Sequence, residues 1–189
     1  DDELLYIFEY RNKVVSLTEE DEPQYDDFKI SYTNEKGKKN SCVLSRSYSY
    51  IYNGVTKTFD KNDFNYDCGT VTLIDNNGDN IYDVLKVDKY NYLVSDAVSV
   101  KDNAIFDYER KTVINLSGEA YTSLQLFDGT SYTPCMITDI EDGMLIQYTE
   151  SDDKLFYTVI VSKNAVRGTL QSISGEYITV DGVKHKTAD

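Results

Sequence analysis

Apolar and polar residues alternate over short stretches of this chain, and that spacing is typical of half-buried β-strands. The segment Phe28–Thr33 shows the alternation most clearly. No stretch long enough for a stable helix has the helical period, although one short helical turn is expected within Pro134–Glu141. The pattern predicts strands at Leu4–Tyr10, Lys13–Leu17 as its hairpin partner, Phe28–Thr33, Ser41–Tyr52 (one long strand or two short ones), Val55–Phe59, Gly69–Ile74, Ile81–Val87, Tyr92–Val100, Thr112–Leu116, Thr122–Phe127, Met144–Tyr148, Leu155–Ser162, Val166–Ile173, Tyr177–Val180 and Val183–Lys186.

Glycine-bearing turns separate these strands. Asn53-Gly54 is the strongest hairpin signal, because both residues tolerate a positive φ. Later turns are expected at Asp128-Gly129, Asp142-Gly143, Ser174-Gly175 and Asp181-Gly182. Many short strands joined in this way indicate an all-β fold of short antiparallel strands, arranged as one or two small barrels or sandwiches.

The domain organisation is less clearly marked in the sequence. We find no exact internal repeat and no linker rich in proline or serine. We place a boundary near residue 103, where the rhythm of the strands changes. Because no linker marks this boundary, the alternative is that the two parts share one continuous sheet. The interpretation is an antiparallel β domain over residues 1–103, which carries an Asp/Asn hairpin loop, and a small barrel-like domain over residues 104–189.

Composition supports the β interpretation and excludes some partners. The 189 residues include 17 Tyr and 7 Phe but no Trp, and Tyr, Val, Ile and Thr suit a pleated surface. Asp plus Glu number 33 against 19 Lys plus Arg, a formal net charge of −14. That charge repels phosphate backbones and anionic lipids, so we expect no nucleic-acid partner. No apolar run is long enough for a membrane helix, so no membrane insertion is expected. The chain begins Asp1-Asp2-Glu3, which we interpret as the start of an excised segment.

One loop has the spacing of a cation site. Asp75, Asn77, Asp79 and Asp83 occupy positions 1, 3, 5 and 9, and Ile81 at position 7 offers a backbone carbonyl. Calcium prefers six to eight oxygen ligands, and alternate positions of a tight loop can converge on one point. The loop lacks the position-12 Glu of an EF-hand and resembles the Asp-rich loops between strands of calcium-binding β-propellers. The alternative is a plain hairpin loop, since Asp, Asn and Gly form such loops without an ion. Three carboxylates predict an affinity of about 10⁻⁴–10⁻³ M.

Other candidate sites have ordinary structural explanations as well. The acidic run from Glu19 to Asp27 is either a diffuse cation site or, as we prefer, a solvated loop. Tyr48, Tyr50 and Tyr52 share one face of a strand and could bind sugar or protein, but tyrosines also pair as plain sheet residues. His185, the only histidine, is interpreted as a surface residue, because no nucleophile motif accompanies it.

The three cysteines do not form a recognisable motif. Cys42, Cys68 and Cys135 are odd in number and contain no C-x-x-C pair, which argues against a zinc ribbon. We interpret them as buried thiols. A single bridge between Cys42 and Cys68 is the alternative.

Several stretches together resemble a known group of modules. They are Tyr50–Gly54, Gly69–Asp83, Val161–Leu170 and Tyr177–Gly182. They resemble the β-rich modules that accompany S-layer homology repeats in secreted and cell-surface proteins of Gram-positive bacteria. The resemblance covers most of residues 40–189 and implies an extracellular, cell-envelope setting. It carries over no catalytic residues, and this chain contains no S-layer homology repeat of its own.

The expected function is that of a non-catalytic extracellular β module of a bacterial cell-surface protein, with a spacer, adhesion or assembly role. Its expected partner is a cell-envelope protein or a glycan, and calcium is its candidate cofactor. One alternative is a carbohydrate-binding module of a surface enzyme. Another is a glycan-active or other hydrolase, whose carboxylates cannot be picked out among 33 acidic residues.

Overall fold

The computed structural model of the chain describes residues 13–64, 69–108, 111–117, 121–162, 166, 168–175 and 177–186. It confirms the all-β prediction, with 61% of residues in strands, 6% helical and no helix of seven residues or more in the described part. The strands form two seven-stranded sheets and one three-stranded sheet.

The first sheet uses the strands up to Lys89. In chain order they are β1 (Lys13–Thr18), β2 (Gln24–Asp26), β3 (Lys29–Thr33), β4 (Lys39–Tyr52), β5 (Val55–Thr56), β6 (Gly69–Asp75) and β7 (Ile81–Lys89). Their order across the sheet is β1-β6-β7-β4-β3-β2, with β5 also paired to β4. All neighbours are antiparallel except β4 and β7, which are parallel. Short 3₁₀ turns lie at Glu19–Asp21 and Lys61–Phe64.

The second sheet follows after Tyr90. Its strands are β8 (Asn91–Ser99), β9 (Ala104–Asp107), β10 (Val113–Asn115), β11 (Tyr121–Phe127), β12 (Tyr132–Pro134), β13 (Leu145–Glu150) and β14 (Phe156–Ser162). They lie in the order β10-β9-β8-β13-β14-β11-β12, with β11 and β14 parallel. A 3₁₀ turn at Ile137–Asp139 falls inside the predicted helical turn. The third sheet is a meander of β15 (Leu170–Ser174), β16 (Tyr177–Val180) and β17 (Val183–Lys186).

Most predicted strands lie within a few residues of the observed ones. The return strand β5 is shorter than expected, and β15 begins at Leu170 rather than Val166. The pattern missed β2, β9 and β12, which have only three or four residues each. The predicted strand Leu4–Tyr10 lies outside the described residues, and β1 is found paired with β6.

The Asn53-Gly54 turn has the geometry that its residues predict. Tyr52 pairs with Val55, so two residues connect β4 to β5. Their φ angles of 47° and 87° are both left-handed, as a type I′ turn requires. This turn twists in the same sense as the strands that it joins.

Each large sheet buries its own apolar core. In the first sheet Val71, Leu73, Leu85 and Val87 have no exposed surface, because alternate residues of β6 and β7 point to the same side. The first core contains Leu17, Ile30, Cys42, Leu44, Tyr50, Val71, Leu73, Tyr82, Leu85 and Val87. The second contains Leu93, Ile105, Ile114, Leu116, Ile137, Ile140, Met144, Ile146, Tyr157, Val159 and Val161. The division near residue 103 stays a prediction, although β8 hydrogen-bonds within the second sheet.

The same five-strand arrangement occurs in both large sheets. The row β1-β6-β7-β4-β5 corresponds to β8-β13-β14-β11-β12. In each row the pairings are antiparallel, antiparallel, parallel and antiparallel. In each, a 3₁₀ turn lies between the second hairpin strand and the next strand along the chain. We name residues 13–89 module 1 and residues 91–162 module 2. Their extra strands differ, since β3 and β2 extend module 1 beyond β4 whereas β9 and β10 extend module 2 beyond β8.

Candidate functional site

The loop between β6 and β7 gathers the residues of the predicted ion site. Asp75 ends β6 with no exposed surface. Its Oδ1 accepts hydrogen bonds from the amides of Asn77 at 3.2 Å and Gly78 at 2.7 Å, and its Oδ2 accepts one from Asn80 at 2.8 Å. Burial alone would raise the pKa of Asp75, but these N–H donors outweigh it and lower the pKa. Asp75 therefore holds the loop together as a buried, ionised acceptor.

The other predicted ligands continue the same network. The side-chain oxygen of Asn77 accepts from the amide of Asp79 at 2.9 Å, and Asp79 accepts from the amide of Ile81 at 2.7 Å. Asp83 accepts from the amide of Asn76 at 3.0 Å. These hydrogen bonds close the loop without an ion, while carboxylate oxygens retain further lone pairs.

The backbone amides of the candidate calcium loop are thus already hydrogen-bonded to its own side chains. Within the described ranges, no three His, Cys, Asp or Glu side chains are grouped so as to hold a metal ion. Calcium binding stays a prediction, and a melting experiment tests it below.

The three tyrosines of β4 face the first core. Tyr50 is 3% exposed, and Tyr48 and Tyr52 pack against the same core. The ring of Phe59 lies 5.1 Å from that of Tyr50 and 6.3 Å from that of Tyr48. The Tyr50 hydroxyl donates to Asp63 at 3.1 Å. Burial, followed by the charge of Asp63, raises the pKa of Tyr50. These tyrosines form an internal aromatic cluster, which is the structural alternative stated for them.

The acidic run is not a loop throughout, because Gln24–Asp26 forms β2. Glu19–Asp21 forms a 3₁₀ turn, and the Asp21 carboxylate accepts from the Thr18 amide at 2.9 Å. None of the three residues of this turn is buried. His185 lies in β17 opposite Ile178 and is partly exposed.

The cysteines fit the interpretation as buried thiols where they are described. Cys42 is 6% exposed and is a free thiol. Burial raises its pKa, so its reactive thiolate is scarce at neutral pH. Cys135 packs partly buried against the second core, and Cys68 lies outside the described residues.

Two of the open clefts on module 1 have volumes above 400 Å³. One of about 420 Å³ is lined mainly by polar residues of β2, β3 and β4, such as Gln24, Ser31 and Ser41. The other, about 440 Å³, lies between β1 and the β3–β4 turn and includes Asp21 and Glu35. The Asp21 carboxylate there already caps the Thr18 amide, which gives it a structural role.

A buried polar cluster joins the two modules. Asn53 is 4% exposed although it lies in a hairpin turn. Its Nδ2 donates to the carbonyl of Glu150 in module 2 at 2.7 Å, and its Oδ1 accepts from the amide of Lys89 at 2.8 Å. Its own amide donates to the carbonyl of Val87 at 3.0 Å. Asn53 therefore ties the end of β7 to the end of β13.

Two further contacts complete this junction. Gly54 faces the ring of Phe156, and a Cβ at this position would overlap that ring. Lys57 forms ion pairs with Asp152 at 2.7 Å and with Asp63 at 3.2 Å, which places its ammonium between the modules. The hydrogen bond to Asp152 is the main reason that the pKa of Lys57 is raised. Sequence reasoning identified the Asn-Gly turn but not this second role, for which a short turn pattern carries no signal.

Comparison with protein-family models, curated proteins and solved structures gives no match for the chain. Among the described residues, no helix is long and apolar enough to cross a membrane.

Proposed function

We propose that the chain is a non-catalytic, extracellular β module of a bacterial cell-surface protein, acting as a spacer between neighbouring domains. The junction at Asn53, Gly54 and Lys57 carries the proposal. A spacer must transmit position from one unit to the next, and these contacts fix the orientation of two similar modules through directional hydrogen bonds.

The use of carboxylates in this chain supports a structural role. Asp75, Asp128 and Asp153 all have lowered pKa values. In Asp128 the cause is hydrogen bonding from the Ser131 and Thr130 amides, and in Asp153 it is chiefly the Ser151 hydroxyl. A general acid at neutral pH needs its pKa raised, so these turn-capping carboxylates are poorly suited to that task.

The cell-surface part of the proposal draws on the resemblance to modules that accompany S-layer homology repeats. An acidic surface suits exposure to solvent, since a net charge far from zero keeps a protein soluble. The proposed partners are cell-envelope proteins or glycans. Antibodies raised against the recombinant chain should label intact cells of its source, and labelling only after permeabilisation would contradict the location.

The spacer role can be tested against both alternatives in parallel. We expect no specific hit on a glycan array and no turnover of a panel of chromogenic glycosides and esters. A reproducible glycan hit would favour a carbohydrate-binding module, and turnover would favour a hydrolase. Small-angle scattering should give the same maximum dimension for the native chain and for Asn103→Ala, whose altered hydrogen bond to Leu116 lies within module 2. For Asn53→Ala, which weakens the junction, the maximum dimension should increase and the distribution of interatomic distances should broaden.

A further inference from the structure

The junction between the modules has two halves, and each recurs elsewhere on the chain. Module 1 contributes a donor half, the turn between β4 and β5. Module 2 contributes an acceptor half, the β13–β14 loop with Phe156, the first residue of β14. Because the five-strand arrangement is repeated, module 2 also has a donor turn and module 1 also has an acceptor loop.

The second donor turn is uncovered. It is the β11–β12 connection, residues 128–131, in which all four residues are exposed. Phe127 pairs with Tyr132 across it, as Tyr52 pairs with Val55 across the donor turn of module 1. The Asp128 carboxylate accepts from the amides of Thr130 and Ser131, both at 2.9 Å. This turn is therefore preformed.

Within the described part of the chain, the apolar part of the second acceptor is exposed as well, and Lys13 reaches its loop, where the ammonium donates to the Asn80 side chain at 2.9 Å. Ile81 is the first residue of β7 and corresponds to Phe156 of β14. It pairs with Val43 of the parallel strand, as Phe156 pairs with Tyr121. Ile81 is 42% exposed and Val43 is 50% exposed. Two large apolar side chains thus lie together on the surface, beside the loop of residues 75–80. The corresponding place in module 2 is the one that contacts the Asn53-Gly54 turn.

We propose that these two free halves meet between molecules: the turn of residues 128–131 of one copy docks on Val43, Ile81 and the loop of residues 75–80 of the next copy. We call Val43, Ile81 and residues 75–80 the seat. Its occupant is a second copy of the chain, because the chain itself carries the turn that corresponds in topology to the one already docked between the modules. This assembly would extend the proposed spacer role to a chain of copies. The contact itself does not require the spacer role, but its biological purpose rests on it.

The geometry determines the kind of assembly. The donor and the acceptor are different surfaces, so the contact is heterologous and extends head to tail rather than closing a two-fold dimer. The contact joins one turn to two apolar side chains and a loop, without the covalent tether that raises the effective concentration within the chain. It should therefore be weak and become detectable only toward millimolar protein. The net charge of −14 opposes it, so raising the salt concentration should strengthen association.

Concentration-dependent NMR of the full chain tests the contact directly. Amide shifts are compared between about 20 μM and about 1 mM protein at low and at high salt, with sedimentation velocity on the same samples. As the protein concentration rises, we expect the amide signals of the turn (residues 128–131) and those of Val43 and residues 76–81 in the seat to shift over the same concentration range. Ile81→Lys and Thr130→Lys should each weaken self-association at least about tenfold. Val113→Lys is the matched control, because Val113 is 45% exposed on β10, which lies outside the first sheet and at the opposite edge of the second sheet from β12.

Mixing the two variants distinguishes a head-to-tail contact from other kinds. Ile81→Lys keeps an intact turn and Thr130→Lys keeps an intact seat, so the mixture should form a dimer that cannot grow. A native chain that stays monomeric at about 1 mM in high salt overturns the proposal. So does association that Ile81→Lys abolishes but Thr130→Lys leaves unchanged, because another occupant then fills the seat. Neither result affects the spacer role, which the glycan, turnover and scattering experiments test separately.

Discussion

Asn53→Ala tests whether the junction couples the two modules. The substitution removes the donor to the Glu150 carbonyl and the acceptor of the Lys89 amide, while the backbone of the hairpin is retained. Only the first of these bonds crosses between modules. The variant should therefore weaken both the end of module 1 and the contact to module 2.

The expected cost follows from the burial of the site. Asn53 is 4% exposed, so its partners regain little water when the side chain is truncated. Each partner left unsatisfied costs about 1–3 kcal/mol, which gives about 2–6 kcal/mol for two. The φ of 47° adds about 1 kcal/mol for alanine, which lacks the local hydrogen bonds that let asparagine adopt this conformation. Asn53→Gly removes that last cost and isolates the hydrogen bonds.

Calorimetry measures both the stability and the coupling. The native chain should melt the two large sheets together, with equal calorimetric and van't Hoff enthalpies. In Asn53→Ala the ratio of van't Hoff to calorimetric enthalpy should fall toward about one half, as two units of similar size melt separately. The control is Asn103→Ala, since Asn103 has a φ of 48° and donates to the Leu116 carbonyl at 2.7 Å within module 2. A single transition with an unchanged Tm in Asn53→Ala would refute the coupling.

Three further predictions concern the first core and the β6–β7 loop. Leu73→Ala, at a position with no exposed surface, should destabilise the chain by about 2–5 kcal/mol in urea unfolding, and a cost below about 1 kcal/mol would contradict its place in the core. Asp75 has a folded pKa below 3.8, so its stabilisation is present above pH 3.8 and is lost as the pH falls through the folded value. Urea midpoints of the native chain should therefore fall more steeply with acid than those of Asp75→Asn, and parallel curves would argue against this role. Calcium at about 1 mM should stabilise the chain by about 0.4–1.4 kcal/mol, and Asp79→Ala should abolish the effect. Identical melts in EDTA and in calcium would reject the ion site.

Strands and turns could be predicted where they depend on residues close together in the sequence. Val71, Leu73 and Asp75 alternate with partly exposed residues along β6, and the observed burial follows the same period of two. The turn at Asn53-Gly54 was predicted for the same kind of reason, because a left-handed φ at two successive positions favours those two residue types. Features of this kind depend on neighbours along the chain, and the sequence records them directly.

The choice of strand partners could not be predicted in the same way. A period of two shows which face of β4 is buried, but it does not show that β7 lies beside β4 in parallel. That pairing joins Val43 to Ile81, residues far apart in sequence. The loop of residues 75–80 was also predicted as a group, yet its hydrogen bonds run to backbone amides, which a pattern of side chains does not reveal.

The repeated arrangement explains why no repeat is visible in the sequence. In module 1 a core row runs across the sheet from Val15 to Leu73 and Leu85, and in module 2 the corresponding row runs from Leu93 to Ile146 and Val161. The rows share apolar character but not residue identity, because a core accepts different aliphatic side chains of similar volume.

Turns are less tolerant of substitution than core rows. The junction needs a residue without a Cβ at Gly54, since any other would overlap Phe156. It also needs a side chain at Asn53 that can donate and accept at once. The free turn of module 2 has four residues and begins with Asp128, so it cannot repeat the Asn53 contacts unchanged. A docking turn of this kind should bind more weakly than the one within the chain. The order of modules in an assembly would then be determined by their turns rather than by their cores.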